Sequence, residues 1–271
     1  MGGFFVFMYT ELLTRSDSRY DKIVRVNLRI KQNVVKKMNE LHLSKRLETV
    51  VQFIPKDARL ADIGSDHAYL PCYAYIRGYI TTAIAGEITE GPLRSAKEQV
   101  RKTGLEHVIS VRKGDGLEVI QPNEVDCITI AGMGGTLIKN ILDRGKEKLV
   151  GVKRLILQPN VGAHVVREWL LEHDWELIAE RIIEEDGRIY EILVAEKGEG
   201  KRPYDSLEAG LLLGPFLMKE RSSIFTKKWQ LEMNQWKKIL KQLEENATTV
   251  EAKEKKRELE RRINIVKEVL K

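Results

Sequence analysis

Four short clusters hold most of the chemistry available to this sequence. In the first, Ala61-Asp62-Ile63-Gly64-Ser65-Asp66-His67-Ala68-Tyr69-Leu70-Pro71, two carboxylates flank a glycine at the end of an apolar run. Gly64 lets the backbone approach a ligand closely. The spacing is not the G-x-G-x-x-G of dinucleotide sites, because Asp66 stands where the second glycine falls. A carboxylate repels a pyrophosphate and attracts a sulfonium or an amino group. Asp62 and Asp66 therefore favour a cationic cofactor such as S-adenosylmethionine over NAD or FAD, although Asp66 also suits a cap on the following helix.

The second cluster, Ala83-Ile84-Ala85-Gly86-Glu87, ends the next apolar run with a carboxylate able to accept two hydrogen bonds from a ribose diol. The third, Gly114-Asp115-Gly116, offers Asp115 to an adenine exocyclic amine. The fourth is Ile128-Thr129-Ile130-Ala131-Gly132-Met133-Gly134-Gly135. Here the Asp/Asn-Pro-Pro-aromatic turn of exocyclic-amine methylation is absent, and three glycines make a side-chain-poor floor that admits a flat base. One strand later, Gln158-Pro159-Asn160 sets two amides around a rigid proline, able to read the edge of a base. Each cluster alone is an ordinary loop; their occurrence in this order is the signal.

The elements that must position these clusters alternate. Strands are expected at Arg59–Ile63, Thr81–Glu87, His107–Arg112, Val125–Ala131 and Arg154–Gln158, and helices at Tyr69–Arg77, Pro92–Lys102, Leu137–Leu149 and Val165–His173. This pattern with short connections predicts an α/β fold, a mostly parallel sheet covered by helices. Trp175–Glu184 and Arg188–Glu196 then read as a hairpin across Glu185-Asp186-Gly187. A parallel sheet that ends in an antiparallel hairpin is the layout of class I methyltransferases. Beyond breaks at Gly198–Pro203 and Gly214-Pro215, Phe216–Asn246 and Val250–Lys271 read as two helices folded into an antiparallel, coiled-coil-like pair.

The chain has 271 residues, 42% hydrophobic and 32% charged, enough apolar material for a sizeable core. No apolar run approaches the ~18 residues of a membrane span. Cys72 and Cys127 suggest neither a disulfide framework nor a metal knuckle, and the five histidines show no ligand-like spacing, so no metal is expected. A reducing, cytoplasmic setting follows. Net charge is +5 over residues 1–37, −5 over 38–215 and +6 over 216–271, a polarity that suits a polyanion partner gripped by the ends. Residues 1–37 read as an over-called or loose extension, with Met38 as the expected natural start.

From Met38 onward the chain closely resembles the bacterial TrmK family, the tRNA (adenine(22)-N1)-methyltransferases. The resemblance rests on Leu43-Ser44-Lys45-Arg46-Leu47, Ala61 to Pro71, Ala85-Gly86-Glu87-Ile88, Gly114-Asp115-Gly116, Ala131 to Gly135, Leu157-Gln158-Pro159-Asn160, Glu184 to Gly187 and Gly214-Pro215-Phe216. It implies a class I Rossmann-like methyltransferase domain over 38–200, a linker over 201–215 and a helical hairpin over 216–271. It implies methyl transfer from S-adenosylmethionine, leaving S-adenosylhomocysteine, to N1 of an adenine in the D-arm region of tRNA. By position, Asp62, Gly64 and His67 line the methionine end of the cofactor, Glu87 its ribose and Asp115 its adenine, with Asp66, Ile88, Gly116, Ala131, Gly132 and Met133 completing the set. Gly132, Met133, Gly134 and Gly135 border the target base.

Neutral adenine N1 needs no deprotonation before it attacks, so no essential nucleophile is expected. Asp66, His67 and Tyr69 are the candidates for stacking or proton handling, with a structural role open for His67 and Tyr69. Lys45, Arg46, Gln158, Pro159 and Asn160, and on the tail Lys227, Lys228, Lys237, Lys238, Lys241, Arg257, Arg261 and Arg262, are the candidate RNA contacts. A monomer is expected. Two other classes stay open: a methyltransferase of another RNA, a small molecule or a protein, and an RNA-binding protein without catalysis.

Overall fold

The structure is a computed structural model and describes residues 42–246 and 249–271. The expectation for residues 1–37 lies outside the described residues. A short helix, α1 (Lys45–Val51), is capped by the Ser44 hydroxyl and leads into alternating strands and helices. These are β1 (Ala58–Ile63), α2 (Tyr69–Ile76), β2 (Ile80–Glu87), α3 (Glu90–Thr103), β3 (Ile109–Lys113), β4 (Cys127–Gly134), α4 (Gly135–Arg144), β5 (Arg154–Val161) and α5 (Ala163–Glu172). β6 (Trp175–Glu185) and β7 (Arg188–Lys197) follow as a hairpin whose turn is Asp186-Gly187, the Asp-Gly signal read from the sequence.

The seven strands are ordered β3-β2-β1-β4-β5-β7-β6. All neighbours are parallel except β5 with β7 and β6 with β7. Strands buried on both faces read as continuous apolar runs, and β1 and β4 do so through Leu60, Ala61, Ile63, Cys127, Ile128 and Ile130. Cys72 and Cys127 are buried and free, and burial pushes the Cys72 thiol up to about 11. The order reverses between β1 and β4. In such sheets the ligand crevice opens at the carboxyl ends of the strands beside that reversal.

The tail holds α6 (Leu207–Leu213), α7 (Pro215–Glu220), α8 (Ser223–Asn246) and α9 (Val250–Leu270). α8 and α9 share a second apolar cluster with the sheet's last hairpin, in which Phe225, Trp229, Trp236, Leu259, Ile263 and Val266 pack with Ile182 of β6. Leu43–Lys271 forms one compact unit.

Several boundaries differ from the sequence reading. The segment expected as a linker carries α6, because Ala209 and Leu213 bury against the tail cluster. The first tail helix is interrupted at Arg221, which adopts a left-handed conformation and caps α7. The helix expected over Leu137–Leu149 breaks at Gly145 into α4 and a 3₁₀ turn, Lys146–Leu149. Both loops expected after β4 and β5 belong to the strands themselves, since β4 runs to Gly134 and β5 to Val161.

Candidate active site

The carboxyl ends of β1, β2 and β4 bring the first, second and fourth clusters together. Asp62, 4% exposed, accepts from the Ser65 hydroxyl at 2.5 Å and from the Thr129 hydroxyl at 2.6 Å. Its burial raises its pKa, and these two hydrogen bonds pull the other way. Gly64 follows in a left-handed turn (φ +69°), where a Cβ would lie 2.1 Å from Met133 Cε. The Met133 thioether thus lies directly across the Gly64 backbone.

Glu87, 6% exposed, ends β2 and accepts the backbone N–H of Asp66. Burial raises its pKa; the Asp66 N–H opposes that, the Asp66 and Asp62 carboxylates add to it, and His67 lowers it. Neither Asp62 nor Glu87 has an ion-pair partner among the described residues. Two buried carboxylates therefore stand without a neutralising cation at the carboxyl ends of β1 and β2.

Asp66 itself is exposed, as are His67 and Tyr69, whose rings stack with centroids 5.3 Å apart. The Asp66 carboxylate lies 3.6 Å from His67 Nε2. Ile88 is exposed beside Glu87. Asp115, after β3, is gripped in two-pronged fashion by Arg144 Nη1 at 2.7 Å and Nη2 at 3.3 Å. Each of its oxygens keeps a further lone pair. Beside it, a Cβ on Gly116 would meet Ile141, so the turn packs tightly on α4.

Gln158 and Asn160, expected to face the target base, are drawn onto the glycine floor itself. Gln158 Oε1 accepts the Gly132 N–H at 3.0 Å, and Asn160 Nδ2 donates to the Gly132 carbonyl at 2.7 Å. Arg46 Nη1 also donates to Gln158 Oε1, at 2.5 Å, and its guanidinium lies 5.5 Å from the Tyr190 ring centroid. The backbone N–H groups of Lys45 and Arg46 donate to Glu185 at the hairpin tip, at 2.5 and 3.3 Å. A groove leads away from Pro159 and Asn160 past Gly187 and Ile189 to Lys227 and Lys228 on α8.

The tail cations divide into two sets. Lys227 pairs with Glu184 at 2.5 Å, Arg261 with Glu208, and Arg262 with Glu258 at 2.6 Å. Lys228 reaches the buried Glu191, which also binds the fully buried Arg167 at 2.7 Å; Arg167 binds buried Glu180 at 2.6 Å. Burial raises Glu191, but the Lys228 ammonium and Arg167 guanidinium more than reverse this and hold it below the ordinary carboxylate range. Lys237, Lys238, Lys241 and Arg257 form the second set, exposed and without an ion pair among the described residues.

Sequence reasoning missed Ser65, Thr129, Arg144, Glu185 and Tyr190. Ser65, three residues after Asp62, carried a local signal as a hydroxyl partner for that carboxylate. The others meet their partners only across the fold. Among the described residues no group of His, Cys, Asp and Glu has the geometry of a metal site, and no helix is long and apolar enough to cross a membrane.

The family model for tRNA (adenine(22)-N(1))-methyltransferases, TrmK, matches residues 60–268. A Bacillus subtilis (strain 168) protein named tRNA (adenine(22)-N(1))-methyltransferase is 56% identical over 235 residues, covering 86% of this chain and 99% of the relative. The crystal structure of the B. subtilis m1A22 tRNA methyltransferase TrmK superposes with a TM-score of 0.82 at 55% identity, covering 85% of this chain and all of that one. A Streptococcus pneumoniae structure in complex with S-adenosyl-L-methionine gives a TM-score of 0.76 at 43% identity, covering 85% and 100%.

Proposed function

Since the chain belongs to the TrmK family of tRNA (adenine(22)-N(1))-methyltransferases, we propose that it methylates N1 of adenine 22 in tRNA with S-adenosylmethionine as methyl donor. The observation that carries the cofactor is the pair of buried carboxylates, Asp62 and Glu87, with no cation between them. A pyrophosphate there would face unscreened repulsion, whereas a sulfonium and an ammonium supply the missing charge. When bound, S-adenosylmethionine supplies an electrophilic methyl group on a positively charged sulfur.

The chain's own residues then have separable tasks. Glu87 accepts the ribose hydroxyls while the Asp66 N–H holds its other oxygen. Asp62, fixed by Ser65 and Thr129, keeps negative charge beneath the methionine end, and Gly64 leaves room for it. Asp115 offers its spare lone pairs to the adenine amine. His67 and Tyr69, exposed and stacked at the rim, offer a platform for a base turned out of the RNA. Because neutral N1 has a free lone pair, catalysis is chiefly alignment, to which the floor at Gly132–Gly135 contributes.

The tRNA is held by charge and shape, with Lys237, Lys238, Lys241 and Arg257 among the exposed cations of the tail. We read the protein as a cytoplasmic monomer, in keeping with a candidate site built from one chain and two free cysteines. The decisive experiment incubates the protein with labelled S-adenosylmethionine and unmodified tRNA, followed by nucleoside analysis. N1-methyladenosine must form on the wild-type transcript and vanish when adenine 22 is replaced by guanine. Label in another nucleoside, or in a protein fraction, would transfer the activity to a different acceptor.

A further inference from the structure

The ladder between β4 and β5 skips one residue on each strand. Ala131 pairs with Gln158, Met133 with Pro159 and Gly134 with Val161, which leaves Gly132 and Asn160 out of register. Pro159 has no N–H to give to the ladder at this point. Gly132 bulges away with φ +81°, a conformation open to glycine. The two side-chain amides replace the missing ladder bonds, and Gln158 Nε2 donates to Asn160 Oδ1 at 3.3 Å, closing a ring through Gly132.

This arrangement leaves little of Gln158 to meet a base. Its side chain is fully buried, and both lone pairs of Oε1 are taken, by the Gly132 N–H and by Arg46. The next residue after the clamped glycine is Met133, whose thioether lies across Gly64. The clamp thereby sets where the target-side floor meets the cofactor-side turn.

Resting on the tRNA-methyltransferase reading, we propose that Gln158, Asn160 and Arg46 are positioning residues that clamp the Gly132 bulge, and that they do not read the target adenine. Arg46 is the outer member of the clamp, steadied by Tyr190 and carried on a helix whose first N–H groups are bound by Glu185. This revises the role that the spacing of Gln158-Pro159-Asn160 suggests. The amides act on the protein's own backbone.

The test is single-turnover methyl transfer at saturating S-adenosylmethionine with tRNA titrated, on wild type, Gln158→Met, Gln158→Glu and Asn160→Asp. Gln158→Met and Asn160→Asp lower the transfer rate constant about tenfold or more and leave half-saturation by tRNA within about twofold. Gln158→Glu loses only the donation to Asn160 Oδ1 and keeps a carboxylate that accepts from both the Gly132 N–H and Arg46, so its rate falls clearly less than that of Gln158→Met. Equal loss in Gln158→Glu and Gln158→Met, or a raised tRNA requirement with the rate intact, would overturn the clamp and restore base reading. Asn160 is exposed, so Asn160→Asp decides the matter if Gln158→Met does not fold. Wild type that makes no N1-methyladenosine would instead sink the functional reading.

Discussion

Gly135 and Gly162 meet backbone to backbone: a Cβ on Gly135 would lie 2.1 Å from the Gly162 carbonyl oxygen and 3.1 Å from that of Val161. The contact joins the start of α4 to the end of β5, so it locks the two strands that carry the floor and its clamp. Neither neighbour is a side chain that can swing away. Gly135→Ala is therefore expected to cost about 1–3 kcal/mol of stability and to slow methyl transfer. Urea unfolding of the variant checks it, and an unchanged midpoint would contradict the packing.

The contact between Gly64 and Met133 is of another kind, because the obstacle is the tip of a flexible side chain. Gly64→Ala carries two costs, roughly 1–2 kcal/mol for a left-handed alanine and the displacement of Met133. Met133→Ala removes only the second. A double-mutant cycle followed by thermal melting should show coupling of about 0.5 kcal/mol or more, the pair being less harmful than the sum of its members. Strict additivity would mean that Met133 does not rest on Gly64.

Arg167 is enclosed by Glu180, Glu191, the Leu211 and Leu212 carbonyls and, beyond Glu191, Lys228. Glu180 also accepts the Phe216 N–H, which ties the start of α7 to the sheet. Arg167→Met strands buried Glu180 and leaves Glu191 with Lys228 alone, and should lower stability by about 3–5 kcal/mol. Lys228→Met should weaken the fold while leaving the salt dependence of tRNA binding unchanged. Replacing Lys237 and Lys238 by alanine should reduce the log–log salt slope by roughly 0.7–0.9 for each phosphate that these lysines neutralise. A lowered slope in Lys228→Met would make that lysine a phosphate ligand after all.

Burial raises the pKa of both Asp62 and Glu87. A carboxylate with a raised folded-state pKa binds protons more readily folded than unfolded, so ionising it costs stability as pH rises from about 4 through the raised value. Asp62→Asn removes that cost, since the Ser65 hydroxyl can turn to accept from the new amide. Its stability should fall less steeply than wild type's between acid and neutral pH, as followed by chemical unfolding. A cationic cofactor favours the ionised forms, so its affinity should climb across the same window and flatten once both are charged. Calorimetric titration with S-adenosylmethionine at several pH values reads this directly, and an affinity that falls with rising pH would exclude the carboxylates as its partners.

The sheet and its hairpin were legible because β1, β4 and β5 are apolar runs and Asp186-Gly187 is a strong turn signal. Asp62 and Glu87 were legible because each stands at the end of an apolar run. The bulge at Gly132 was not, since its hydrogen bonds come from side chains on a different strand; only the proline opposite gave a hint. Arg167, Glu180 and Glu191 look like solvated charges in the sequence. They become a buried network only when α5, β6 and β7 pack together. α6 hid behind the Gly198–Pro203 break, which resembles the start of a longer linker.

The hydrogen bond from Lys45 to Glu185 joins residues 140 positions apart. A ribosome adding about 5–20 residues per second needs roughly 7–28 s to make the chain between them. During that interval α1 has been made, yet the carboxylate that binds its first N–H groups has not. Those N–H groups gain their acceptor only after β6 has emerged. Synthesis thus completes this contact late, when β1 to β5 are already present, and a chain cut short of Glu185 cannot make it.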